Sequence, residues 1–206
     1  MKIITLPVGD IYANCYIIKD SMKNCVIIDP GDESEKIKQT VEDEDINKVY
    51  TIFLTHGHYD HCGVIKSLSE HYKCGVYINR DDEKLYKSFE RLIQNITGEE
   101  LISNFLYFKD SEKIEFSDEL TFKIIFTPGH SKGCVCIELL NQKVLFTGDT
   151  LFKNSIGRTD LPGGSLAEIK KSLKILTSDY SGFKVYPGHG PTTSIEHEKQ
   201  NNQYLK

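Results

Sequence analysis

The first 28 residues contain three short apolar runs separated by polar stretches. The runs cover residues 2–8, 13–18 and 25–28, with Gly9 and Asp10 after the first run and a polar hexapeptide at 19–24 after the second. Apolar runs of this length, bounded by turn-forming residues, are typical of β-strands. Because the connections are short, the pattern predicts that the chain begins with an antiparallel meander of three strands.

Strands and helices then alternate. Residues 34–41 contain helix formers with Ile37 and Val41 four positions apart, and residues 49–54 form a β-branched and aromatic run typical of a buried strand. Helical spacing returns over 63–72, and residues 75–78 are again typical of a strand. Residues 81–96 place five apolar side chains on one stripe of a predicted helix, and we expect this stripe to face the core. The stripe consists of Leu85, Phe89, Leu92, Ile93 and Ile96.

The second half of the chain follows the same order of elements without repeating the sequence. It contains predicted strands near 121–126, 134–140, 143–147 and 183–186, a helix over 165–176 and a polar terminal helix. No linker or low-complexity segment interrupts it, so residues 1–206 are predicted to form a single domain. Two sets of strands with helices outside them predict an α/β protein with αβ/βα layering.

The composition narrows the classes of partner. Of the 206 residues, 39% are hydrophobic and 27% are charged, which is too apolar for a disordered chain. The formal net charge of −5 provides no long-range attraction to nucleic acid or to an anionic membrane, so we expect neither as a partner. No signal-peptide pattern and no apolar stretch of about 18 residues occurs, which predicts a cytoplasmic protein.

Six cysteines lie at positions 15, 25, 62, 74, 134 and 136. They lack both the paired spacing of a zinc ribbon and the density of a secreted disulfide scaffold, so we expect them to be reduced. Cys134 and Cys136 are two positions apart on a predicted strand and should share one face of it. We interpret them as small buried hydrophobic residues, with a redox pair as the alternative.

Three of the seven histidines lie within the segment HGHYDH at positions 56–61, directly after the predicted strand 49–54. Side chains two apart on an extended segment project to the same side, so His56 and His58 can bind one metal ion. Asp60 and His61 follow after the chain turns and point elsewhere, which suits a second metal ion. A histidine-rich surface loop is the alternative, but the short spacing after a buried strand favours a metal site.

Three further polar residues each follow an apolar run and a glycine. They are His130, Asp149 and His189, and each alone would be a weak signal. Together with the cluster at 56–61 they complete the ligand sets of two metal ions. His71 and His197 lie on predicted helices among charges and receive no role. We predict that His56, His58 and His130 bind one ion, that Asp60, His61 and His189 bind the other, and that Asp149 bridges both.

Two more segments extend this pattern, GRTDLPGG at 157–164 and YPGHGP at 186–191. With THGHYDH at 55–61 and the three downstream residues, they resemble the metallo-β-lactamase superfamily, and the match spans nearly the whole chain. Within the superfamily, the two segments are similar to the short, single-domain relatives of glyoxalase II (hydroxyacylglutathione hydrolase). The resemblance implies a four-layer αβ/βα sandwich of two mixed β-sheets with helices on both outer faces, and the same two ligand sets.

The resemblance also implies a metal-dependent hydrolase of small thioesters such as S-2-hydroxyacylglutathione. It would use two divalent ions, zinc by expectation with iron or manganese as alternatives, and the hydroxide that bridges them would be the nucleophile. Asp60 would be catalytic as well as a ligand, because it can orient this hydroxide. A thiol departs without a strong general acid whereas an amine needs a proton, which favours a thioester over a lactam.

Arg158, in the GRTD segment, is a candidate contact for an anionic group of the substrate. A salt bridge on the surface is the alternative interpretation of this residue, and the sequence favours neither. Oligomeric state is not indicated by any pattern in the chain.

Three alternative functions stay open. The first is a persulfide dioxygenase with one ferrous ion, which shares the GRTD segment and would use His56, His130 and Asp149 as ligands. The second is a lactonase or another ester hydrolase of the same superfamily. The third is a non-catalytic metal-binding protein that keeps the fold. The metal found and the product released would distinguish these functions from a zinc thioesterase.

Overall fold

A computed structural model describes residues 1–205, in which most strands belong to two six-stranded sheets. The first sheet has the order β1-β2-β3-β4-β5-β6, antiparallel from β1 to β3 and parallel from β3 to β6. The predicted opening meander is therefore confirmed. The strands are β1 (Lys2–Val8), β2 (Ala13–Lys19), β3 (Asn24–Ile28), β4 (Lys48–Phe53), β5 (Gly75–Ile78) and β6 (Leu106–Tyr107).

The second sheet has the order β14-β13-β10-β9-β8-β7, in which only the β10–β13 pair is parallel. A separate hairpin, β11–β12, follows β10. The strands are β7 (Lys113–Glu115), β8 (Thr121–Phe126), β9 (Val135–Leu139), β10 (Val144–Gly148), β11 (Leu151–Phe152), β12 (Ser155–Ile156), β13 (Lys184–Pro187) and β14 (Thr193–Ser194). The helices are α1 (Ser34–Asp43), α2 (Tyr59–Cys62), α3 (Ile65–Tyr72), α4 (Glu83–Ser88), α5 (Glu90–Thr97), α6 (Leu166–Asp179) and α7 (Ile195–Asn201).

Three apolar clusters define four layers. Side chains alternate along β2, so that Ile17 packs beneath α1, α3 and α5 while Ile18 packs between the two sheets. On the far side, Leu145 of β10 packs with α6 and α7. The predicted αβ/βα sandwich of two mixed sheets with helices on both outer faces is confirmed.

The segment 81–96 differs from its prediction. A 3-10 turn at Arg80–Asp82 precedes α4, and Phe89, at φ −92° and ψ 7°, separates α4 from α5. The break rotates the second half of the stripe, so only Ile93 is fully buried, at 2% exposure. Leu92 and Ile96 are 37% and 48% exposed, so the prediction of a stripe that faces the core throughout is wrong.

The other elements lie within a few residues of their predicted bounds, as is usual for boundaries read from sequence. β9 begins at Val135, so Cys134 precedes the strand instead of sharing its face with Cys136; both thiols are buried, as predicted. The short strands β6, β7, β11, β12 and β14 were not predicted, because two or three residues carry too little periodicity. Within residues 1–205, no helix is long and apolar enough to cross a membrane.

Candidate metal centre

The segment at 55–61 leaves the carboxyl end of β4 and crosses the edge of the first sheet. His58 is still extended, at φ −73° and ψ 147°, and the chain then makes the single helical turn α2, which carries Asp60 and His61. The first pair therefore lies on an extended segment and the second on a helical turn. His56 and His61 have no exposed surface and His58 is 7% exposed, so the pattern at 56–61 is not a surface loop.

The three downstream residues come from the second sheet. His130, Asp149 and His189 follow β8, β10 and β13. These three strands run in the same direction in the sheet order, so their carboxyl ends lie at one edge. A bridge between Ala13 and His189, and the hydrogen bond that Asn14 N donates to Gly188 O at 2.7 Å, join this edge to the first sheet. All seven predicted residues therefore meet where the two sheets come together.

Donor atoms of His56, His58 and His130 form the first group, all within 4.8 Å of one another. His130 Nε2 lies 2.8 Å from His58 Nδ1. His130 Nδ1 lies 2.8 Å from the carbonyl oxygen of Arg158 and donates to it, which leaves Nε2 free to face the group.

Asp60, His61 and His189 form the second group. Asp60 Oδ2 lies 3.3 Å from His61 Nε2 and 3.2 Å from His189 Nε2. His189 Nδ1 donates to the carbonyl oxygen of Ile11 at 3.2 Å, which turns its other nitrogen toward Asp60. The second group thus has the composition that the sequence predicted.

Asp149 lies between the groups. Its Oδ2 is 3.4 Å from His130 Nε2, and its Oδ1 is 3.4 Å from His61 Nε2. A third set of donors, His56, His61 and Asp149, connects the two groups. Gly188 allows this approach, because a Cβ there would lie 2.2 Å from Asp149 Oδ1. The carboxylate therefore lies within 3.4 Å of a donor nitrogen in each group.

The donor atoms fit divalent transition-metal ions. His56 Nε2 and Asp149 Oδ1 are buried, and neither has a hydrogen-bond partner among residues 1–205. An unsatisfied buried lone pair costs roughly 1–3 kcal/mol, which an ion bound there would offset. Five imidazoles and two carboxylates are donors that zinc, iron and manganese accept, whereas calcium and magnesium prefer oxygen alone.

The charges of the cluster suit a cation as well. Burial and the neighbouring His130 lower the pKa of His58 to about 4, and burial with the nearby His61 holds the pKa of His56 well below its usual range. Both are therefore neutral ligands at pH 7. Burial alone would raise the pKa of Asp60, but His61 and His189 outweigh it and lower that pKa, so the carboxylate stays ionised.

A buried aspartate to which the sequence analysis assigned no role, Asp29, supports the second group. Asp29 accepts hydrogen bonds from Thr55 N at 2.7 Å, Thr55 Oγ1 at 2.6 Å and His61 Nδ1 at 3.0 Å. The bond to Nδ1 directs His61 Nε2 into the cluster. Asp29 directly follows the apolar run of β3, which is the signal that identified Asp149 after β10.

A second missed aspartate, Asp82, supports the first group without touching it. It accepts hydrogen bonds from Gly57 N at 3.0 Å, Gly133 N at 2.7 Å and Ser131 Oγ at 2.5 Å. Gly57 separates His56 from His58, and Ser131 follows His130. One carboxylate therefore joins the two loops that carry the first group, a role for which the sequence around residue 82 contains no signal.

We expect Asp82→Asn to weaken metal binding at the first group by about 10- to 100-fold, the range found for residues that orient ligands. The asparagine amide would oppose one of the three donors and leave it unsatisfied. Metal affinity is measured by competition with a chromophoric chelator. Asp81→Asn, at the exposed neighbouring position, is the control. Equal affinities for the two variants would show that Asp82 has no effect on the ligands.

Arg158 lies on the surface beside the cluster. Its guanidinium pairs with Asp160 through two hydrogen bonds of 2.8 Å, and the two side chains are 61% and 68% exposed. The salt bridge considered from the sequence is therefore present. Contact between Arg158 and a substrate stays a prediction. His71 and His197 lie on α3 and α7, outside the three donor groups, as expected.

Comparison with known proteins agrees with the fold and the cluster. The sequence profile of the Metallo-beta-lactamase superfamily matches residues 8–194. The hydroxyacylglutathione hydrolase GloC of Haemophilus influenzae is 36% identical over 213 residues, which cover 100% of this chain and 98% of that protein. The crystal structure of the B3 metallo-beta-lactamase BLEG-1 superposes with a TM-score of 0.87 at 31% identity and covers 99% of both chains. TTHA1623, solved in a di-iron-bound form, superposes with a TM-score of 0.89 at 30% identity over 98% of this chain and 100% of that one. The chain therefore belongs to the metallo-beta-lactamase superfamily.

Proposed function

We propose that this protein is a metal-dependent hydrolase of thioesters such as S-2-hydroxyacylglutathione. The observation that carries the proposal is the convergence of seven nitrogen and oxygen donors in two groups that share a carboxylate. His56, His58 and His130 would hold one divalent ion, Asp60, His61 and His189 the other, and Asp149 would contact both. Zinc is the proposed metal, with iron or manganese as alternatives.

Bound divalent ions would polarise the substrate carbonyl and lower the pKa of water to about 7. The protein's part is to hold the ligands and to position the proton of the attacking water. Asp60 remains ionised and is 12% exposed in its side chain, so it can accept a hydrogen bond from water that enters the cluster. Three hydrogen bonds fix the orientation of imidazole rings before substrate binds. The donors are His61 to Asp29, His130 to the carbonyl oxygen of Arg158, and His189 to the carbonyl oxygen of Ile11.

The ligand assignment favours a thioester over an amide. Every imidazole and carboxylate of the cluster is used as a ligand in this assignment. A leaving group that needs no added proton suits such a site, and a thiol, with a pKa of about 8.5, departs as thiolate. The similarity to a protein named hydroxyacylglutathione hydrolase supports the same substrate class.

A mononuclear iron persulfide dioxygenase is the second candidate, because two histidines and one carboxylate of the cluster could hold a single ferrous ion. That reaction would need one ion on His56, His130 and Asp149. It would leave Asp60, His61 and His189 without a role, although their donor atoms form a group of their own. The complete second group is the reason that we prefer the hydrolase.

The test combines metal analysis with an assay on one sample. Protein purified without chelator is analysed for metals, and hydrolysis of S-lactoylglutathione is followed through the thiol released. About two zinc ions per chain with thiol release would support the proposal. One iron per chain, oxygen consumption and no thiol release would overturn it in favour of the dioxygenase. Full metal occupancy without turnover of thioesters, esters or lactones would indicate a non-catalytic protein, and turnover of lactones alone a lactonase.

A further inference from the structure

A narrow cleft opens beside Asp60. Its walls include the β1–β2 turn, α2 and α5. The helix α5 forms the second half of the segment that was predicted as one helix over 81–96. Five of the twelve lining residues have apolar or aromatic side chains. They are Val8, Ile11, Tyr59, Ile93 and Ile96.

The apolar walls are open to solvent. Ile11 is 50% exposed and Ile96 is 48% exposed, and Leu92 beside them is 37% exposed. Exposed aliphatic residues that gather around a concave surface are typical of a binding site, whereas single exposed ones are ordinary. Ile93, 2% exposed, packs beneath them and gives the cleft a floor that belongs to the core.

The cleft is continuous with the metal centre at two residues. Asp60 lines it and lies 3.2 Å from His189 through its carboxylate. Ile11 lines it and accepts the hydrogen bond from His189 through its carbonyl oxygen. Because the cleft adjoins the cluster, we expect a chain attached to a carbon at the cluster to reach into it.

Charge selects which part of a thioester fits. Besides the proposed metal ligand Asp60, the lining contains the acidic residues Asp10 and Asp32 and no Lys or Arg. An anionic group would be repelled there. Lys84 and Lys132 line a separate cavity near Asp82, together with Asp81. A neutral apolar chain therefore suits the cleft better than an anionic one.

We propose that the cleft at Ile11, Tyr59, Ile93 and Ile96 binds the apolar chain of the substrate's acyl group. The inference rests on the proposed function and deepens it, since it names the acyl class. Substrates with extended, uncharged acyl chains would be preferred over short ones. They would also be preferred over acyl chains whose far end is a free carboxylate.

The first experiment measures kcat/KM for glutathione thioesters with acetyl, butanoyl, hexanoyl and succinyl groups on the zinc-loaded protein. Burial of the chain should raise kcat/KM about fourfold for each added methylene. Butanoyl should exceed succinyl, which has the same number of carbons, by more than about tenfold because of the acidic lining. Values that are flat with chain length, or equal for butanoyl and succinyl, would overturn the proposal.

Ile96→Trp tests the location, because the indole would fill the cleft from an exposed position that does not threaten the fold. The ratio of hexanoyl to acetyl kcat/KM should fall by at least about tenfold in this variant. Ile175→Trp, on α6 at 42% exposure and outside the cleft, is the matched control and should keep the wild-type ratio. An unchanged ratio in Ile96→Trp would overturn the proposal. The proposal would also be overturned if Ile96→Trp changed the ratio of kcat/KM for S-acetyl-N-acetylcysteamine to kcat/KM for S-acetylglutathione. These substrates share the acetyl group, so such a change would place the thiol in the cleft.

A binding measurement separates this inference from the proposed function. Calorimetric titration with hexanoate and acetate should show tighter binding of hexanoate by at least about tenfold in the wild type and Ile175→Trp, and not in Ile96→Trp. If no thioester is hydrolysed but this pattern appears, the proposed function fails and the cleft remains an apolar binding site. If thioesters are hydrolysed and hexanoate binds no better than acetate, the function stands and the cleft assignment fails.

Discussion

Asp149→Asn should reduce the metal content from two ions per chain to about one and kcat/KM by about a thousandfold. Asp149 is the only one of the seven predicted ligands expected to contact both ions, and its two oxygens lie 3.4 Å from His130 Nε2 and from His61 Nε2. Asparagine keeps the shape but removes the charge and replaces one oxygen with a donor that cannot bind a metal ion. A thousandfold loss corresponds to about 4 kcal/mol of transition-state stabilisation, within the range expected of an active-site ion.

Metal analysis and steady-state kinetics on the same preparation give both quantities. Asp160→Asn is the control, because it removes a carboxylate that is 68% exposed and pairs with Arg158. It should keep both ions. If Asp149→Asn binds two ions and retains more than about a tenth of the activity, the bridging assignment is wrong.

Gly31→Ala should destabilise the protein by about 3 kcal/mol or more and lower its midpoint of thermal unfolding by roughly 6–12 °C. A Cβ at Gly31 would lie 1.6 Å from the backbone oxygen of Asp60. Backbone atoms cannot turn aside as a flexible side chain can, so either the loop after β3 or the helical turn α2 must move. Because α2 carries Asp60 and His61, the second metal group should be weakened along with the fold.

Thermal denaturation of the metal-free and zinc-loaded forms separates the two effects. Gly75→Ala is the matched control. A Cβ at Gly75 would lie 2.7 Å from Leu106 Cδ1, which is the end of a side chain that is 46% exposed and can rotate away. It should lose less than about 1 kcal/mol. If the Gly31→Ala and Gly75→Ala variants unfold at the same temperature, Gly31 is not packed closely against Asp60. The added stability from zinc should also be smaller in Gly31→Ala than in the control.

Most of the layered fold could be predicted from local patterns. Strands β1 to β4 and β8 to β10 are long enough for apolar runs to identify them, and α1, α3 and α6 show helical spacing. The break at Phe89 could not be predicted, because the apolar stripe continues through it without a glycine or proline. Packing against the sheet decided that Ile93 is buried and Ile96 is exposed. A helical pattern alone cannot make that distinction.

The candidate ligands were predictable for a related reason. Each lies in the segment that follows an apolar strand, and four of the seven lie within positions 56–61. Which nitrogen each histidine presents was not predictable. His189 is oriented by Ile11, 178 positions away, and His61 by Asp29, 32 positions away. Such partners become neighbours only after the sheets have packed.

The sequence by itself determined the class of fold, the seven candidate ligands and their division into two groups, because strand alternation and ligand spacing are encoded over a few adjacent residues. Only the tertiary structure decided that Asp29 and Asp82 orient those ligands, that Arg158 pairs with Asp160, and that Ile96 faces an open cleft. These features depend on contacts between distant segments. Such contacts are set by how whole layers pack, and no local pattern records them.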